Sequence, residues 1–108
     1  MSIPYRKHTA ILENDVFPRL QCLSIRGCEG MDQLSRVIAN SNLMDRLMAL
    51  DLSYCGMTDK GARFLLDNGK IARLKMLDLS SNCLSEKMVQ SLAALCTETI
   101  LKIERQHP

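Results

Sequence analysis

Residues 47–65, LMALDLSYCGMTDKGARFL, have a counterpart 27 positions earlier, LQCLSIRGCEGMDQLSRVI at 20–38, and another 27 later, LKMLDLSSNCLSEKMVQSL at 74–92. Leu20, Leu47 and Leu74 each open the same phrase. It runs Leu20-Leu23-Ile25-Cys28, Leu47-Leu50-Leu52-Cys55 and Leu74-Leu77-Leu79-Asn82. Phe17, Met44 and Ile71 form an apolar column before the phrase, and Arg19, Arg46 and Arg73 sit immediately ahead of each leading leucine. Self-similarity at one period of this length is the mark of a repeat architecture.

Within a phrase the apolar residues alternate, as a strand pointing them to one face requires. Behind it, Leu34, Val37 and Ile38 fall at helical spacing, and Phe64-Leu65 and Ser91-Leu92 occupy the matching offsets. Asp32, Thr58 with Asp59, and Ser85 stand where N-caps would start the helices. Each unit therefore reads as strand, turn, helix. One unit cannot bury its own apolar face, so the units stack and share a core.

Bulk properties agree with a single domain of 108 residues whose core is aliphatic, since only 4% of residues are aromatic and none is Trp. A net charge of +2 gives no argument for nucleic acid or a membrane surface. No apolar run approaches the roughly 18 residues a spanning helix needs, and with no apolar run behind Met1 to His8 a signal peptide is not expected. Cys22, Cys28, Cys55, Cys83 and Cys96 form no CxxC pair. Their odd number and spacing argue for reduced thiols, a cytoplasmic setting and no zinc site.

The repeats resemble the leucine-rich repeat family in its longer, helix-containing form. Residues 50–65 are similar to the cysteine-containing subtype, and 77–92 to the ribonuclease-inhibitor subtype, with Asn82 in the ladder position. The resemblance implies an α/β fold: a right-handed solenoid with a parallel sheet on the concave side, helices on the convex side, and protein binding through the concave strands. About 3.5 repeats are expected: a truncated half-repeat at 1–19, repeats at 20–46, 47–73 and 74–100, and an end at 101–108. Residues 9–16 read as the tail of a helix whose strand is missing, so the chain is expected to be the C-terminal part of a longer array. The same open N-terminal face offers a route to self-association. At the next 27-residue step, Leu101 is followed by Glu104 where an inward leucine is required, so the period is expected to stop. Ile100 to Ile103 could still add a short edge strand.

If Leu23 and Ile25 point inward, three columns face outward: Cys22, Ala49, Met76; Ser24, Asp51, Asp78; and Arg26, Ser53, Ser80. Strands about 4.8 Å apart gather these into one patch with Tyr54 at its rim. Arg26, Asp51, Ser53, Tyr54, Met76, Asp78 and Ser80 are thus the candidate contacts for a protein partner. Asp-Leu-Ser is also the family's default strand filling, so the aspartates also read as solvated scaffold. The arginine column suggests an anionic partner, or charges neutralised by Asp45, Asp67 and Glu13 over aliphatic stems. Catalysis is not expected, because the histidines, His8 and His107, lie in the terminal segments, away from any nucleophile. No residue set calls for a cofactor or metal. The rival to a binding module is a structural piece that only terminates a larger solenoid.

Overall fold

The computed structural model describes residues 19–27 and 30–107. The expected half-repeat at the N-terminus, Cys28, His8 and Glu13 lie outside the described residues. In chain order the elements are β1 (Cys22–Ser24), α1 (Met31–Ala39), β2 (Ala49–Asp51), α2 (Asp59–Asn68), β3 (Met76–Asp78), α3 (Glu86–Leu95) and β4 (Ile100–Lys102). Short 3-10 turns, Asn42–Asp45 and Lys70–Arg73, lead from α1 and α2 into the next strand. The strands form one parallel sheet in the order β1-β2-β3-β4, so the fold is the expected α/β solenoid.

Register follows the period. Leu23 pairs with Leu50 and Leu50 with Leu77, each 27 residues on. Leu23, Ile25, Leu50, Leu52, Leu77 and Leu79 are all buried beneath the sheet. Met31, Leu34 and Ile38 from α1, Ala62 and Leu65 from α2, and Met88 and Leu92 from α3 meet them from the helical layer. Burying each large aliphatic side chain contributes about 1.5–3 kcal/mol, and none of these faces is covered without its neighbours.

The last strand is the edge strand expected at Ile100 to Ile103, but its register corrects the expectation that the repeat pattern stops. Leu77 pairs with Leu101, a step of 24 residues. Leu101 thus stands where Leu77 stands one repeat earlier, and is not the equivalent of Leu74. No 3-10 turn follows α3, so the chain reaches β4 directly from Cys96, and Thr99 Oγ1 ties the junction to Leu74 O at 2.7 Å. The pattern therefore continues through a shortened step, with Ile103 matching Leu79.

Between repeats, two sets of polar contacts keep the stack in register. Asn82 lies buried, with Oδ1 accepting from Cys55 N and Met57 N, both at 3.0 Å. Its Nδ2 donates to Leu52 O and Leu79 O, both at 2.9 Å. One repeat earlier Cys55 has only a thiol to give, and Sγ reaches Ile25 O at 3.0 Å. One repeat later Gln106 takes the position: Nε2 donates to Leu79 O at 2.8 Å and Ile103 O at 3.1 Å, and Oε1 accepts from Leu84 N at 3.1 Å.

The second set joins helix starts. Thr58 and Ser85 cap α2 and α3 as expected, accepting from Lys60 N and Met88 N. Asp32 and Asp59 do not cap their own helices. Gly30, at φ 68°, is the N-cap of α1, and each aspartate sits in the first turn. There the carboxylate reaches forward to the next repeat's cap. Asp32 accepts from Thr58 N at 2.9 Å and Thr58 Oγ1 at 2.5 Å; Asp59 accepts from Ser85 N at 2.8 Å and Ser85 Oγ at 2.6 Å. The cap hydroxyl can donate backward while accepting from its own helix, and the negative charge also suits a helix N-terminus. Gly61 makes room for the first bridge, since a Cβ there would run into the Asp32 carboxylate and lie 2.9 Å from Asp32 Cα.

Two outcomes are expected. Asn82→Ala strands the Cys55 and Met57 amides and the Leu52 carbonyl in the interior, since Leu79 O keeps Gln106. Denaturant unfolding should show a loss of about 3 kcal/mol, and a loss under about 1 kcal/mol would contradict the ladder. The Ser85 hydroxyl and amide hold the Asp59 carboxyl below its ordinary value of 3.8. A depressed folded-state value means the bridge's stability is fully present above the unfolded value and is lost as pH falls through the folded one. The melting temperature of Asp59→Asn should therefore fall less steeply than wild type on acidification below pH 3.8, and parallel curves would contradict the assignment.

Candidate functional site

Outward-facing residues on neighbouring strands form the candidate site. The first column is Cys22, Ala49, Met76 and, by the shortened step, Ile100; the second is Ser24, Asp51, Asp78 and Lys102. The third follows the strand ends with Arg26, Ser53 and Ser80.

Asp51 is the hub of the first half. Arg26 Nη2 donates to its Oδ2 at 2.9 Å, and Ser24 Oγ lies 3.5 Å from the same oxygen. Oδ1 accepts from Ser53 N at 3.0 Å and Ser53 Oγ at 2.6 Å. Burial pushes the Asp51 carboxyl up, but the Ser53 hydroxyl and amide with the Arg26 guanidinium outweigh it and hold the group below its ordinary value. The same hydrogen bond and charge raise the Arg26 guanidinium. Its side chain remains 58% exposed, against 18% for Asp51, and its Cζ lies 5.9 Å from the Tyr54 ring centroid. Arg26 is thus held in one orientation with much of its surface open to solvent.

Ser53 corrects the candidate list. Expected on the concave surface, it is only 1% exposed. Its hydroxyl and amide both turn onto Asp51, which closes a tight turn and draws the side chain inward. Ser80 repeats the arrangement on Asp78 Oδ1, with Oγ at 2.5 Å and N at 3.0 Å, and is half-buried. These serines orient the aspartates. The half-buried Met76 and Asp78 remain at the surface, and Tyr54 stands out at 56% exposure.

Tyr54 also carries backbone strain. Each strand is followed by a left-handed residue at the same place: Gly27 (φ 62°), Tyr54 (φ 57°), Ser81 (φ 57°) and Arg105 (φ 60°). The turn suits glycine, and a side chain there costs roughly 1 kcal/mol. At Tyr54 that cost accompanies an exposed aromatic ring beside an oriented arginine, and strained positions gather at functional sites.

The edge strand expected at Ile100 to Ile103 is present as β4, but its outward residues Ile100 and Lys102 were not among the expected contacts. Ile100 is a large apolar side chain 66% exposed, on β4 beside Met76. A strict period of 27 hides both residues; the signal was the phrase Leu101-Ile103-Gln106, in frame at 24.

Elsewhere, Asp45 takes Lys70 at 2.9 Å and Arg73 at 3.9 Å. The Lys70 hydrogen bond holds the Asp45 carboxyl below its usual range. Of the basic column, Arg73 lies against Asp45, while Asp67 makes no ion pair among the described residues. Of the thiols, Cys22 is exposed while Cys55 and Cys96 are buried, and burial pushes the Cys96 thiol up. Among the described residues no group of three or more His, Cys, Asp or Glu is placed to hold a metal ion. No helix among them is long and apolar enough to cross a membrane.

Comparison with known proteins places the repeat. Residues 47–66 match one leucine-rich repeat family model and residues 73–95 match another. The whole arrangement is similar to a crystal structure of a protein from Bacteroides fragilis, with a TM-score of 0.74 and 28% sequence identity over 96% of this chain. The chain spans 28% of the length of that protein. No curated protein matches.

The turn gives a direct test. Tyr54→Ala and Tyr54→Gly remove the same ring contact but differ in backbone freedom. Tyr54→Gly should be the more stable of the two by about 1 kcal/mol in denaturant unfolding, and equal stabilities would contradict the strain.

Proposed function

We propose that this leucine-rich repeat chain is a protein-binding module that presents its concave sheet to a partner. The residues assigned to contact are Arg26, Asp51, Tyr54, Met76, Asp78 and Ser80, with Ser53 holding Asp51 in place. The observation that carries the reading is the Arg26–Asp51–Tyr54 group. Aromatic and arginine side chains dominate interface energies, and an anchor already oriented loses less entropy when it binds. Leucine-rich repeats generally serve protein interaction, which supports the same assignment. Cys55 and Asn82 in the ladder support the cysteine-containing and ribonuclease-inhibitor-like subtypes, respectively. The reading is of a non-enzymatic protein with no cofactor, acting in the cytoplasm, with neither nucleic acid nor membrane as its partner.

A second reading, a structural segment within a larger solenoid, is favoured by one observation: the similar crystal structure is of a protein several times as long, of which this chain covers 28%. Self-association through an open N-terminal face belongs with that reading, and sedimentation of the isolated chain tests it.

For the binding reading the measurement is quantitative affinity capture with Asp51→Arg and Tyr54→Ala. Asp51→Arg reverses the charge beside Arg26, and Tyr54→Ala removes the exposed ring. Each should reduce recovery of a specific partner at least about tenfold, and undiminished recovery with both removes the concave face from consideration.

A further inference from the structure

We propose that the concave face takes an extended peptide segment bearing an apolar side chain and, two residues along, a cationic one. This deepens the binding reading and rests on it. The apolar half of the site is the column Ala49, Met76 and Ile100, adjacent in register on β2, β3 and β4. Ile100, at 66% exposure, leaves that column open to water. The charged half is the next column, in which Asp51 and Asp78 stand side by side.

The two carboxylates are not equivalent. Asp51 is paired with Arg26 at 2.9 Å. Asp78 gives one oxygen to Ser80, and among the described residues no cation pairs with it. Lys102, in register on β4, is exposed and makes no ion pair there either. Asp78 is therefore a carboxylate held by the Ser80 turn and in no ion pair among the described residues, with Arg26 and Lys102 acting on it only from a distance, next to exposed apolar surface.

Met76 and Asp78 are alternate residues of one strand, so their side chains emerge on one face about 6.6 Å apart. Alternate side chains of an extended peptide have the same separation. An apolar side chain on Met76 and Ile100 then brings the second one onto Asp78. A cation there gains a preset acceptor, whereas a carboxylate would meet Asp51 and Asp78 together.

Selection of a displayed random linear peptide library on the intact chain tests this, followed by affinity measurement with the synthetic form of the best-enriched peptide. Enriched sequences should share an apolar residue two positions from Lys or Arg. Asp78→Asn keeps the acceptor for Ser80 but removes the charge, and should weaken the peptide about five- to tenfold. Lys102→Glu removes a competing cation and should strengthen it by about threefold. Ile100→Asp, at an exposed position, should abolish binding, with unchanged melting temperatures confirming that the variants fold. If peptides lose affinity with Asp51→Arg or Ile100→Asp yet ignore both Asp78→Asn and Lys102→Glu, the cationic requirement is overturned while the concave reading stands. If they ignore all four substitutions, both are overturned. Failure to enrich any peptide overturns the peptide proposal alone.

Discussion

Asn82 joins the backbones of two successive repeats through one buried side chain. The strands are three residues long, and each strand supplies only a few ladder bonds. The turns that follow them enter the interior, where an unpaired amide or carbonyl costs as much as a lost hydrogen bond. A side chain with both donors and acceptors, reaching from one repeat to the next, meets that demand. Asn82 does so with an amide, Cys55 more weakly with a thiol, and Gln106 with a longer amide at the last strand. Apolar burial drives the stacking, but these contacts set which residue faces which.

The concave patch inherits its order from that constraint. The left-handed residue after each strand is where the chain turns toward the ladder position, so Tyr54 takes its strained conformation one residue before Cys55. The turn that closes Ser53 onto Asp51 lies in the same loop, and Asp51 in turn fixes Arg26. Scaffold and candidate site therefore share residues. Asp51 is both a default strand residue and the hub of the exposed group, so a substitution there is expected to affect packing and binding together.

The solenoid itself was legible in the sequence, because each inward leucine recurs at one offset and burial gives it a single reading. The register of β1, β2 and β3 follows from Leu23, Leu50 and Leu77 alone. Three features were not legible. Asp32 and Asp59 looked like caps because composition cannot reveal that a carboxylate reaches into the next repeat. Ser53 looked exposed because strand alternation says nothing of the turn that pulls it inward at the strand end. The register of the fourth strand, though not the strand itself, was obscured by the loss of a 3-10 turn, which shifts Leu101 out of a constant period. Of the candidate site, alternation turned Arg26 outward and Tyr54 was set at the rim, while Ile100 and Lys102 join the outward columns only through the shortened step.

The central claim is that contacts crossing between repeats, and not the repeats themselves, hold the fold together. Native-state hydrogen exchange at the amides of Ile25, Leu52 and Leu79 measures this directly, since each donates to the following strand at 2.7 to 2.9 Å. If the repeats open only as a unit, all three amides exchange with one common free energy and respond equally to denaturant. A graded series, with one repeat exchanging while its neighbours stay protected, would contradict the account.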